Sequence, residues 1–269
     1  MCKGLVRLSF VSSIVAASVF GSAQVFTLTD TGTSAHIVAN STVGLDQWII
    51  GGVDQVFTNT YMWRLGDSGT ADYLQNLTLS SFSQSGNRFL DLTYTNAVQG
   101  FAVDVTYVLS GASTSFDLAE IVRVRNTGNN TLDFRLFQYN DFDLNGTPSN
   151  DTATRLNSSQ IMQQDGAVSL NMVSQGATPV PGFSQLGPLF ASSVTGTSGY
   201  NLDTIAGNNL GQNFTGDAAY GFQWNSHLTP GQSFTISTDK VAAVPEPTTM
   251  AALGLGALAM IRRRRSKKA

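Results

Sequence analysis

Residues 101–110 alternate without a break. Phe101, Val103, Val105, Tyr107 and Leu109 fall on one side of an extended chain, with Ala102, Asp104, Thr106, Val108 and Ser110 on the other. A period of two suits a strand with one face on a core, and it suits no helix. Just upstream, Leu90, Leu92 and Tyr94 alternate with Asp91 and Thr93, and Asn96 to Gly100 reads as the connecting turn. Ser115 to Arg125 and Thr131 to Tyr139 read as a further strand pair. Asn126-Thr127-Gly128-Asn129-Asn130 would join them, because these residues tolerate positive φ and favour tight hairpins. Phe234 and Ile236 mark a last strand ending near Lys240. No amphipathic helix of convincing length intervenes, and no repeat of fixed period is present. The expected fold is all-β, an antiparallel β-sandwich or jelly-roll-like body. Gly176 to Gly199, with Pro179, Pro181 and Pro188, reads as long surface loops of that body. A boundary between two subdomains is the less simple alternative.

Both ends of the chain depart from this pattern. Lys3 and Arg7 precede a mostly apolar stretch from Leu8 to Phe20, and Gly21-Ser22-Ala23 supplies small residues before Gln24. That order is a secretory signal peptide over 1–23, cut between Ala23 and Gln24, and it implies the general secretion machinery. Cleavage removes Cys2, the chain's only cysteine, and with it any thiol chemistry, disulfide or cysteine metal site. Residues 24–243 then carry seven basic and seventeen acidic side chains, a formal charge of −10 with Lys240 as the one lysine. A nucleic-acid partner needs a basic footprint and is excluded.

The C-terminal segment, 244–269, has three parts in order. Pro245-Glu246-Pro247 is a rigid, non-helical start, Met250 to Ile261 is apolar throughout, and Arg262-Arg263-Arg264-Arg265 leads the basic close. The apolar run gives about 18 Å of helix at 1.5 Å per residue, a short transmembrane helix with the arginines as its cytoplasmic stop. Together these residues resemble the PEP-CTERM sorting signal of exported bacterial proteins. The resemblance implies processing by an exosortase, a membrane transpeptidase-like enzyme, in a Gram-negative exopolysaccharide producer. The inner-membrane anchor would be transient, and the 24–243 body would end at the cell surface or in the extracellular matrix. Within that body, Trp48-Ile49-Ile50-Gly51-Gly52-Val53-Asp54-Gln55, Tyr61-Met62-Trp63-Arg64, Phe137 to Leu144 and Phe222-Gln223-Trp224 resemble an extracellular module found with the same tail. This second resemblance implies one domain across most of 24–243 and no particular activity.

Asp141-Phe142-Asp143-Leu144-Asn145-Gly146 is the sharpest local signal in the body. Alternate oxygen-bearing side chains followed by Gly match the first half of a calcium loop, with Asp141, Asp143, Asn145 and the later Asp151 as Ca²⁺ ligands. Position twelve is Thr152 where that loop needs Glu, which favours an ordinary polar turn. Glu120, the body's only Glu, reads as a surface carboxylate ion-paired with Arg123 and Arg125. His36 and His227 lie far apart, and no nucleophile elbow, zinc motif or phosphate loop occurs. The expected role is therefore non-catalytic, structural or adhesive. One alternative is a lectin-like binder of exopolysaccharide using Trp48, Trp63 and Trp224, although core positions suit at least two of the three. A secreted glycan-active enzyme using aspartates is the other.

Overall fold

A computed structural model describes residues 23–149, 151–165, 171–174, 179–187, 191–202 and 212–243. The N-terminal third contributes β1 (Val25–Asp30), β2 (Thr33–Val38), β3 (Gly44–Ile50), β4 (Val53–Asp54), β5 (Thr58–Leu65) and β6 (Asp72–Tyr73). Next come β7 (Thr78–Ser85), β8 (Phe89–Asn96), β9 (Phe101–Gly111), β10 (Ser115–Asn126), β11 (Leu132–Asp141) and β12 (Asp151–Asn157). The rest are β13 (Gln160–Asp165), β14 (Asn171–Ser174), β15 (Phe183–Gly187), β16 (Asn213–Gly216), β17 (Ala219–Leu228) and β18 (Ser233–Ala243). The described residues add one short α-helix, α1 (Ala191–Gly196), and none of their helices is long and apolar enough to cross a membrane. The expected signal peptide lies outside the described residues except for its last position. The expected transmembrane helix lies wholly outside them.

These strands form two nine-stranded sheets. One runs β1-β2-β3-β5-β11-β17-β15, with β4 and β6 attached to β3 and β5; the other runs β16-β12-β13-β14-β18-β10-β9-β8-β7. Pairing is antiparallel except for a short parallel contact of β3 with β5 at Asn59. The alternation of 101–110 is realised as expected. β9 pairs with β8, Leu90 opposite Tyr107, and Val103, Val105 and Leu109 are buried. Their row meets Trp48, Tyr61, Leu136 and Phe222 of the other sheet in a common core. Aromatic rings lock the two inner faces together. Trp63 meets Phe101 edge-on with centroids 4.8 Å apart, and Phe101 meets Phe134 at 5.2 Å. Such pairs add about 0.5–1.5 kcal/mol each beyond the area they bury.

Two expectations are corrected. β10 and β11 do not form a hairpin: β10 lies between β9 and β18 in one sheet, and β11 lies between β5 and β17 in the other. The Asn126–Asn130 turn carries the chain across the sandwich. It is pinned there by Asn126, whose Nδ2 donates to Asn130 O and Leu228 O while its N–H donates to Gln232 O. Glu120 is the second. It is fully buried, on the same inward row as Leu118, Val122 and Val124. Arg123 and Arg125 lie on the opposite face, where Arg125 pairs with Asp104 at 2.7 Å. The ion partner of Glu120 is Lys240, also fully buried, on the inward row of β18. Within the stretch expected as loops, Phe183–Gly187 forms an edge strand on β17, and α1 with its following residues covers the outer face of the first sheet.

Candidate functional site

β11 ends at Asp141, and its register brings two distant segments to the same place. Asp141 stands opposite Thr58 at the start of β5 and opposite Ala219 at the start of β17. Asp217 is two residues ahead of Ala219, and Phe57 is one residue ahead of Thr58, its N–H donating to Asp141 O at 3.0 Å. Asp143 follows directly in the chain, before the 3₁₀ turn Leu144–Gly146. The four residues surround a pocket of about 440 Å³ that also touches Tyr139 and Ser192. Phe57 is 64% exposed at its rim.

Carboxylate oxygens of Asp141, Asp143 and Asp217 approach within 4.8 Å of one another. Burial pushes the Asp141 carboxyl up to about 6; the hydrogen bond from Tyr139 OH, at 2.8 Å, opposes the shift, and the charges of Asp217 and Asp143 add to it. Asp143 is raised as well, by burial first and then by Asp217 and Asp54. The second Asp141 oxygen, Oδ1, is buried without a hydrogen-bond partner. An all-oxygen set of this kind accepts hydrogen bonds from hydroxyls, or supplies an acid and a base from adjacent carboxyls. It also has the hardness that Ca²⁺ prefers.

Of the residues singled out for calcium, the structure brings Asp141 and Asp143 together and sends the other two elsewhere. Asn145 takes up a left-handed conformation, φ 57°, donating from Nδ2 to Asp165 at 2.7 Å and from its N–H to Gln55 at 2.9 Å. Asp151 is fully buried at the start of β12, where it accepts from the Leu144 N–H and from Gln163. Asp217 takes the third place in the cluster. It lies more than seventy residues further along the chain, so no local spacing points to it. Phe57 was missed too, although an aromatic between Val56 and the polar run Thr58-Asn59-Thr60 is the one available signal.

The remaining singled-out residues are simply placed. Trp48 and Trp224 are buried, their indole N–H groups donating to Thr33 and to Pro179 O. Trp63 is 8% exposed and touches a second pocket of about 620 Å³ with Arg64, Tyr73, Asn76 and Gln99. The three tryptophans thus form no common stacking face. His36 pairs with Asp46 at 2.5 Å, and His227 stands exposed on β17; neither lines the acidic pocket. Ala23 is exposed, and Gln24 is held by Asn40 and Ala39. Pro245, Glu246, Pro247 and Arg262 to Arg265 lie outside the described residues.

Residues 243–265 match the PEP-CTERM protein-sorting motif. Among curated proteins, none matches the chain in sequence. Among solved structures, a bacterial glucoamylase complexed with acarbose superposes with a TM-score of 0.54 at 8% identity, over 92% of this chain and 37% of that one. A putative aldose 1-epimerase from Escherichia coli K12 superposes with a TM-score of 0.53 at 10% identity, covering 83% of this chain and 100% of its own. A galactose mutarotase-like protein from Lactobacillus casei gives 0.52 at 9%, over 81% and 100%. The chain spans little more than a third of the glucoamylase. The motif implies an exported protein sorted and processed by an exosortase. Its mostly β, sandwich-like body resembles galactose mutarotase-like β-domains.

Proposed function

We propose that this exported, exosortase-sorted protein is a non-catalytic component of the cell surface or extracellular matrix whose body contacts exopolysaccharide through the acidic pocket. The observation that carries the reading is the exposed Phe57 ring beside three convergent carboxylates. Sugar rings present an apolar face that stacks on an aromatic side chain, and their hydroxyls donate to carboxylate oxygens. The pocket's volume, about 440 Å³, lies in the range of small-ligand sites. Among the described residues its lining holds no basic side chain, which favours neutral or cationic sugars over uronic acids. A bacterial glucoamylase complexed with acarbose superposes on the body over 37% of its own chain, and this supports a sugar as the ligand class.

The test is binding of the full exported protein to its host's own exopolysaccharide and to a glycan array, with calcium and with chelator. Phe57→Ala and Asp217→Asn should each weaken binding about tenfold or more, which is about 1.4 kcal/mol. Absence of binding in either condition leaves the structural role alone. A second reading, a secreted glycan-active enzyme, is favoured by one observation. Asp141 is raised to about 6 while Asp217 and Asp143 stand beside it, as an acid and a base would. Release of reducing ends from the bound polymer, lost in Asp141→Asn, would establish it over the non-catalytic one.

A further inference from the structure

A second polar cluster, on the inward rows of β5, β10, β11 and β18, is enclosed between the two sheets. Lys240 Nζ on β18 lies 2.8 Å from Glu120 Oε2 on β10, and both side chains are fully buried. From the other sheet, Gln138 Nε2 donates to that same oxygen at 2.8 Å and Tyr61 OH at 2.6 Å. The Lys240 contact lacks hydrogen-bond alignment. Lys240 Nζ, Gln138 Oε1 and Glu120 Oε1 are all buried without a hydrogen-bond partner. Buried ionic and amide groups are normally satisfied, so three orphans around one ion pair mark an arrangement that a covalent step would complete. An amine, a carboxamide and a carboxyl gathered on one oxygen are a nucleophile, an acyl group and a proton carrier.

We propose that Lys240 and Gln138 join as an intramolecular isopeptide bond, with Glu120 carrying the protons. The step opens with one proton passing from Lys240 Nζ to Glu120 Oε2 across their 2.8 Å contact. The freed lone pair of Nζ attacks Gln138 Cδ, forming the new C–N bond while the carbonyl electrons move onto Oε1. Glu120 then protonates Nε2 and takes a proton from the attacking Nζ. The carbonyl re-forms, the Cδ–Nε2 bond breaks and ammonia leaves. Amine plus carboxamide gives amide plus ammonia, with Glu120 ending protonated and with no oxidant or reductant. The product replaces a buried ion pair by a neutral amide. It also ties β18, the strand directly before the sorting motif, to β11 in the opposite sheet.

The test is a tryptic map of the full exported protein purified from its host. Trypsin does not cut after an acylated lysine, so cleavage after Lys240 should be absent. The peptide carrying Lys240 should be joined to the one carrying Gln138, the pair lighter than its parts by about 17 Da, the mass of ammonia. Cleavage after Lys240 with both peptides at unmodified mass overturns the proposal. A link to Glu120 with a loss of about 18 Da, the mass of water, overturns Gln138 as the acyl donor. In Glu120→Gln, confirmed as folded by circular dichroism, both peptides should be free. A link that persists there removes Glu120 from the reaction, and if that variant does not fold, the native map decides alone.

Discussion

Asp151 shows how a single carboxyl sets the pH behaviour of its surroundings. Burial raises it to about 7, Asp165 and Asp143 add to the shift, and its bonds from Gln163 and the Leu144 N–H only partly oppose it. An unfolded aspartate titrates near 3.9, so the folded chain holds this proton more tightly. The resulting stability is complete below about pH 4 and is lost as pH climbs through about 7. Asp141, raised to about 6, acts in the same direction. Asp30, Asp67 and Asp104 are lowered and lose their contribution only in stronger acid. The melting temperature should therefore fall between pH 5 and pH 8 by several degrees. Asp151→Asn should flatten that profile; a profile rising with pH in the native protein would refute the assignment.

At the scale of elements, two chain reversals meet where no side chain fits. Gly100 closes the β8–β9 turn with φ +72°, and a Cβ there would stand 2.7 Å from Gly128 Cα in the β10–β11 crossing. Gly100 O also accepts from the N–H groups of Thr127 and Gly128. Gly100→Ala should cost about 3 kcal/mol, strain and backbone collision together. Gly69, at φ +84° with open space around its Cβ position, should cost only about 1 kcal/mol as Ala, and denaturant melts of both variants check the difference. Both turns were legible in the sequence from their Asn and Gly residues. The partner sheet of the strand after the crossing was not, because alternation specifies a face and says nothing of the neighbour. Parity did hold the position of Glu120, two residues from Leu118 and Val122 on the buried row, but the nearby arginines suggested a surface pair. The acidic pocket was half visible. Asp141 and Asp143 share a motif, whereas Asp217 and Phe57 arrive only through the pairing of β11 with β17 and β5.

For the whole molecule, the terminal segments and the body make separate predictions. If the tail is processed near Pro245-Glu246-Pro247, mass spectrometry of the surface-located protein should find a C-terminus lacking Arg262 to Arg265; an intact cluster would leave a membrane-anchored protein. If the signal peptide is cut after Ala23, the chain has no cysteine and its melting temperature should not change with dithiothreitol; a drop would show Cys2 retained and bonded. The topology adds a matter of timing. β18 sits between β14 and β10, and β10 is paired along its whole other side with β9. A chain emerging N-terminus first presents that bare hydrogen-bonding edge of β10 until residues 233–243 have left the membrane. Unpaired edges recruit other strands, and long-range pairings close slowly. Completion of the sheet thus coincides with arrival of the sorting motif at the membrane. The strand that finishes the fold is the one next to the motif, so a protein still waiting for it is one whose tail has not yet been offered for cleavage.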